Sequence, residues 1–221
     1  MNRKVIKTND GSVTIYIEDL NESYHSKHGA IQEAYHVFIN QGLDLFPIDT
    51  SISILEIGFG TGLNAFITFL EQQKRNLNIE YVGVEAYPIS IEEVNQLNYV
   101  EQLQAEEFQI IFDTMHQFNC NEAIQLNENF SLLKRKQFFE EINDKEKFNL
   151  IYFDAFGFTI QPDLWNETIF QKMYDALLPN GVLVTYACRS SIKKAMLNVG
   201  FSIEKLPGAP GKREMLRATK C

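Results

Sequence analysis

The stretch Glu56-Ile-Gly-Phe-Gly-Thr-Gly-Leu-Asn64 limits what this chain can fold into more than any other. It joins an apolar run, Ser51-Ile-Ser-Ile-Leu-Glu-Ile57, to a segment from Leu63 to about Lys74 that reads as a helix. Glycines between a buried strand and a helix permit a tight turn, let the backbone approach a ligand and let the helix pack closely on the strand. The first amides of the helix are left facing an electronegative group. Such a unit belongs in an open α/β sheet.

The rest of the chain supplies the partners. Ile79–Glu85, Phe108–Phe112, Phe148–Asp154, Val182–Tyr186, Phe201–Glu204 and Glu214–Ala218 read as further strands, dense in Val, Ile, Leu and Phe as central parallel strands are. With 51–57 they make a seven-stranded, mostly parallel sheet. Leu206-Pro-Gly-Ala-Pro-Gly211 is too short for a crossover helix, so the last two strands should pair antiparallel. Lys4–Lys7 and Ser12–Ile17 flank Asn9-Asp10-Gly11 and predict an N-terminal β-hairpin. Helices are expected over Ala30–Gln41, from Pro88 to about Gln102, and in the large gaps after the fourth and fifth strands. Between His116 and Glu146 the pattern offers a short helix near 119–127, an apolar patch at 130–133 and a helix near 136–142. The expected division is a hairpin-and-helix extension over 1–45 and the α/β domain over 46–221.

The glycine spacing narrows the ligand. A dinucleotide turn wants GxGxxG, whose last position here is Leu63; the third glycine comes one residue early, at Gly62. No lysine follows, which excludes a P-loop. GxGxG is the form expected for S-adenosylmethionine in Rossmann-like class I methyltransferases; the competing reading is a purely structural turn. The candidate cofactor-binding residues are Glu56, Gly58, Gly60, Gly62, Asn64, Glu85, Asp113 and Asp154. Glu85 ends the second strand, where a carboxylate can accept two ribose hydroxyls. Asp113, at the end of the expected third strand, could reach the adenine amine or could cap a helix. Asp154-Ala155-Phe156 leaves the fourth strand at the edge that carries chemistry in such sheets, and is the candidate catalytic group. An aspartate there can hold an amine while aromatic faces position a flat ring; a loop-anchoring carboxylate is the plainer reading.

Candidate substrate contacts are His25, His28, Phe158, Trp165, Lys212 and Arg213. Trp165 could equally be a core anchor. His25, His28 and Glu33 raise the question of a metal, but HExxH spacing is absent and no cysteine is near, so no metal is expected. The net charge of −9 argues against indiscriminate nucleic-acid binding. It is uneven: residues 185–221 hold eight basic and two acidic groups, a net of +6, leaving −15 on residues 1–184. A basic patch on an acidic body suits one specific polyanion, although clustering in sequence need not be clustering in space. The three scattered cysteines give no disulfide framework and fit a reducing cytoplasm. No apolar stretch suggests a signal peptide or a membrane span.

Longer blocks carry a resemblance. They are Tyr24-His-Ser-Lys-His-Gly-Ala-Ile-Gln-Glu33, His36-Val-Phe-Ile39, the glycine turn, Val84-Glu-Ala-Tyr-Pro88, Phe153-Asp-Ala-Phe-Gly157, Gln161-Pro-Asp-Leu-Trp165 and Leu206-Pro-Gly-Ala-Pro-Gly-Lys-Arg-Glu-Met215. Together they span nearly the whole chain, which resembles the methyltransferase domain of the bacterial tRNA 5-methylaminomethyl-2-thiouridine biosynthesis enzymes in stand-alone form. The resemblance implies S-adenosylmethionine-dependent N-methylation of 5-aminomethyl-(2-thio)uridine at tRNA wobble position 34. It also implies that the FAD-dependent oxidase half is absent and that another enzyme supplies the aminomethyl group. Two departures stand out: Phe158 replaces a usual proline, and Arg189-Ser-Ser191 opens the last large helix. The alternatives are a small-molecule or polyamine N-methyltransferase, which an acidic body would suit, and a non-catalytic scaffold of the same fold.

Overall fold

Apolar side chains on both faces of Ser51–Ile57 require cover on both sides, and the fold provides it. The computed structural model describes residues 2–221. In chain order, β1 (Arg3–Lys7) and β2 (Val13–Ile17) form the expected antiparallel hairpin, and a two-residue β3 (Glu22–Ser23) adds to β2. Helix α1 (Ala30–Ala34) runs into a wider π turn over Tyr35–Asn40. Then come β4 (Ser51–Ile57), α2 (Leu63–Arg75), β5 (Asn78–Val84), α3 (Ile91–Val94), α4 (Tyr99–Gln102), α5 (Gln109–Gln117), β6 (Ala123–Asn127), β7 (Phe130–Arg135) and β8 (Phe148–Phe153). The chain ends with α6 (Glu167–Ala176), β9 (Leu177–Thr185), α7 (Ser190–Val199), β10 (Phe201–Pro207) and β11 (Glu214–Lys220).

The large sheet has the order β10-β11-β9-β8-β4-β5-β7-β6. Strands β9, β8, β4, β5 and β7 are mutually parallel. β11 lies antiparallel between β9 and β10, as the short connecting loop requires. This is the mostly parallel α/β sheet of class I methyltransferase folds, with one extra antiparallel strand, β6, at the far edge. Alternation along β4 sends Ile52 and Ile54 to one face, against α1 and α2, and Leu55 and Ile57 to the other, against Trp165 and α6. Among the described residues no helix is long and apolar enough to cross a membrane.

Four expectations are corrected. Residues 108–112, expected as the third strand, open α5. Phe112 and Met115 are buried on one side of that helix, Phe108 packs its ring 5.6 Å from Phe69, and Ile110 faces outward. A run of five apolar and polar residues fits either period, and only the longer spacing reveals the helix. The third parallel strand is β7, at the expected apolar patch. Residues 123–127, expected as helix, form β6, its hairpin partner across an Asn127–Asn129 turn in which Asn127 Oδ1 accepts the Asn129 amide at 2.8 Å. The helix expected near 136–142 is a single turn over Phe139–Glu141. Pro88 does not open a helix; α3 starts at Ile91 under a capping box of Ser90 and Glu93.

Phe130 tests this topology. It is fully buried on β7, stacked on Tyr81 at 5.8 Å and edge-on to Phe69 at 5.5 Å. Phe130→Ala should lower the unfolding free energy by about 3–5 kcal/mol in urea titration. A loss below about 1 kcal/mol, typical of a surface position, would contradict a central strand here.

Candidate functional site

Three parallel strands end side by side, and the candidate site is built on those ends. The amides of Gly58 and Phe59 both donate to the Val84 carbonyl at 3.0 Å, and the Asp154 amide donates to the Ile57 carbonyl at 2.9 Å. Gly58, Gly60 and Gly62 all adopt positive φ, at 88°, 49° and 72°. A Cβ at Gly58 would lie 2.5 Å from the Asp154 carbonyl oxygen, and one at Gly60 2.9 Å from the Tyr24 ring. The turn therefore needs glycine for its backbone shape and for its close neighbours. Beside it opens a cleft of about 350 Å³, lined by the turn, Tyr24, His25, Asn64, Glu85–Tyr87, Phe138–Glu140 and Asp154–Phe156.

Glu85 is held from below. Its Oε2 accepts the Gly60 amide at 3.1 Å and its Oε1 the Tyr87 amide at 2.9 Å. A carboxylate has about four acceptor positions, so both oxygens can still take a ligand hydroxyl. Tyr87 and Phe138, each about half exposed, meet edge to face at 6.0 Å on the rim and offer aromatic surface to a flat ring. Glycine backbone, a diol-sized acceptor and aromatic walls fit the sulfonium nucleoside S-adenosylmethionine.

Asn64, on the first turn of α2, ties two carboxyl groups together. Its Nδ2 donates to Glu56 Oε1 and to Asp154 Oδ2, both at 2.9 Å. Glu56 is 1% exposed and also accepts the Tyr81 hydroxyl at 2.9 Å. Burial pushes its carboxyl well up, and the neighbouring Asp154 and Glu85 charges add to this. Burial, with the charge of Glu33 behind it, likewise lifts Asp154 to about 7 against the opposing Asn64 bond and Lys212 charge. Asp154 Oδ1 has no hydrogen-bond partner among the described residues and is free for a donor from the cleft. The Ala155 carbonyl already accepts the Tyr186 hydroxyl at 2.9 Å, leaving one acceptor position. His25 lines the cleft with Nδ1 3.1 Å from Thr14 Oγ1; burial lowers it to about 4, so it is neutral near pH 7. Phe156 faces Tyr24 edge-on at 5.1 Å.

Other expected site residues lie elsewhere. Asp113 sits on α5, where its Oδ1 accepts from Gln109 at 2.8 Å; with the third strand reassigned, it is not at the adenine end. The residues that follow the true third strand, Phe138, Phe139 and Glu140, take that place in the cleft. Trp165 is buried in the core and supports the cleft from behind, donating Nε1–H to the Phe156 carbonyl at 2.8 Å. Phe158 packs against the core under the Arg189 guanidinium, 4.6 Å from its ring centroid, so the two departures noted in the sequence touch each other. His28 lies against Gly211, outside the cleft. Lys212 is bound by Glu33, and Arg213 is exposed. Much of the basic tail is paired: Lys205 with Glu214, Arg217 with Glu204, and Lys220 with the Leu177 carbonyl. Tyr186 and Phe138 carry no local signal of a site in the sequence, because each joins it only through contacts between distant segments; Glu33 and Tyr87 lie in the resembling blocks, but their roles there show only in the fold. Among the described residues no group of three or more His, Cys, Asp or Glu is arranged to hold a metal.

Known proteins resemble this chain in sequence and in fold. The bifunctional protein MnmC for tRNA 5-methylaminomethyl-2-thiouridine biosynthesis from Leptospira interrogans is 25% identical over 93% of this chain, which spans about a third (33%) of that relative's length. The crystal structure of MNMC2 from Aquifex aeolicus superposes with a TM-score of 0.75 at 24% identity, over 98% of this chain and 70% of that one. Spermidine synthase from Thermotoga maritima shares the fold at a TM-score of 0.60 and 13% identity, over 99% of this chain and 69% of that one. The family model for S-adenosyl-L-methionine-dependent methyltransferases matches residues 95–221, more than half of the chain, and this protein belongs to that family, related to the bacterial MnmC enzymes.

Proposed function

We propose that this methyltransferase acts on the exocyclic amine of 5-aminomethyl-(2-thio)uridine at the wobble position of tRNA, giving the 5-methylaminomethyl nucleoside. The observation that carries the reading is Asp154, a carboxyl at the floor of the cleft with one oxygen held by Asn64 and the other free. That is a receptor for an amine N–H beside a glycine turn that fits the donor. The names of the MnmC relatives supply the acceptor, and their similarity runs over most of this chain. Arg189, Lys193, Lys194 and Arg213 make no ion pair with a carboxylate among the described residues and are the tail's available cations for RNA phosphates.

The donor supplies a sulfonium methyl already activated for displacement. Glu85 would take the ribose hydroxyls, and Tyr87 and Phe138 would offer their faces to the base. Asp154 Oδ1 accepts one amine hydrogen and the spare acceptor position of the Ala155 carbonyl another, which aims the nitrogen lone pair along the cleft. As the new N–C bond forms and the C–S bond breaks, the sulfur leaves neutral. The surplus proton on nitrogen passes to Asp154, directly or through water. Orientation is the main service of Asp154 and proton acceptance the second, since an activated methyl needs no strong base.

Three outcomes check this. Labelled donor should methylate tRNA bearing the aminomethyl group and leave unmodified tRNA unlabelled; equal labelling of both would overturn the acceptor. Glu85→Ala should weaken donor binding by about 1.5–3 kcal/mol in calorimetric titration, the scale of a lost charged hydrogen-bond partner. Because the Asp154 carboxyl is lifted to about 7, it is neutral below that pH and a carboxylate above it. Turnover should therefore fall as pH drops through about 7. Asp154→Asn should be slow at every pH and lack that limb while keeping most of its donor affinity. A single-turnover rate within about twofold of the parent would remove Asp154 from the mechanism.

A further inference from the structure

Glu33 and Lys212 are 179 positions apart, yet they form an ion pair whose two charges both act on Asp154, the residue proposed to receive the amine. Glu33, on α1, is 7% exposed; its Oε1 accepts Lys212 Nζ–H and its Oε2 the Ser26 amide at 3.0 Å. The Lys212 ammonium also sits 3.6 Å from the centroid of the Tyr186 ring, at the end of β9. The Tyr186 hydroxyl in turn holds the Ala155 carbonyl. A continuous set of contacts therefore runs from α1, through the β10–β11 loop and β9, to the backbone beside Asp154.

The Lys212 ammonium, on a side chain 31% exposed, has two carboxylates within its field, Glu33 and Asp154. Pairing with Asp154 would fill the free oxygen that an amine needs. We propose that Glu33 is a positioning residue: by capturing Lys212 against Tyr186 it keeps Asp154 without an internal counter-ion and open to the substrate amine. This rests on the reading of Asp154 as the amine receptor. The other groups around Asp154 leave this pair in control. Asn64 from α2 is neutral, Glu56 from β4 is buried and driven toward its neutral form, and His25 and Tyr24 from the N-terminal segment are uncharged near pH 7. Tyr186 from β9 is held in its neutral form by burial, and Glu85 from β5 is engaged by two amides.

The test reads Asp154 directly, by carbon-13 NMR titration of aspartate-carboxyl-labelled protein, with the resonance assigned by its loss in Asp154→Asn. In Glu33→Gln the released ammonium should turn toward Asp154 and move its midpoint to lower pH. In Lys212→Met the uncompensated Glu33 should move it to higher pH. The double variant should return near the parent. Removing Glu33 should lower the midpoint more in the parent than in the Lys212→Met background, because only a Lys212 set free adds to the loss of the Glu33 charge; equal drops in the two backgrounds overturn the capture. Midpoints that move the same way in both single variants, or do not move, overturn the proposal. If Glu33→Gln does not fold, Glu33→Asp keeps the charge but shortens its reach to Lys212; it should lower the Asp154 midpoint, and an unchanged midpoint overturns the proposal. No substrate is needed, so the result stands apart from the acceptor. In a second arm, Glu33→Gln should raise the KM for aminomethylated tRNA while donor affinity stays within about twofold. Failure of the parent to methylate that tRNA would sink the functional reading and leave the NMR result for the pair intact.

Discussion

The side-chain amide of Asn64 is the interaction on which the site depends. One nitrogen holds Glu56 and Asp154 together, and two neighbouring carboxyls in a poorly solvated place cannot both ionise without large cost. Glu56, sealed beneath the sheet end, carries the burden of neutrality; Asp154, at the cleft floor, is left to titrate. The glycine turn follows from the same geometry. Gly58 must pass so close to the Asp154 backbone that no side chain fits, and Gly62 must turn left-handed for α2 to start where Asn64 can reach both acids. The glycine turn and the pair of carboxyl groups are thus parts of one construction.

Around that centre the N-terminal segment walls the cleft, and the C-terminal loop holds that segment in place. The N-terminal segment contributes Tyr24 and His25 to its wall, and Arg3 fastens the hairpin to the body through the Tyr87 carbonyl at 2.9 Å and Glu93 at 3.2 Å. The C-terminal loop meets the same segment through His36 Nε2, which donates to the Pro207 carbonyl at 2.8 Å, and through Lys212 and Glu33. A sheet of this class binds ligands outside the carboxyl ends of its strands, where the layers leave a crevice. Here the N-terminal segment walls one side of that crevice, and the C-terminal loop braces the segment from outside.

What the sequence discloses is what local chemistry determines. The strand, turn and helix over 51–75 are legible because burial on both faces, positive φ and helix start all fall within one short window. The antiparallel pairing of β10 and β11 is legible from loop length alone. Residues 108–127 mislead because their apolar groups satisfy both a strand and a helix period, and Asp113 is carried off the site with them. Trp165 is a core anchor, a possibility its sequence context leaves open. The charge of the C-terminal tail is countable, but its pairing is not: Glu204 and Glu214 neutralise Arg217 and Lys205, and Lys212 finds its partner on the first helix. Such partners are products of the fold and leave no mark in a window of sequence.

Delivery of the methyl group from this cleft to an RNA-borne primary amine is measured most directly by a competition. The protein would be given a trideuteromethyl donor together with aminomethylated tRNA and spermidine at equal amine concentration. Mass analysis of the digested nucleosides and of the free polyamine should place the deuterated methyl on the wobble nucleoside alone. Label on spermidine, with none on the tRNA, would contradict an RNA-borne acceptor.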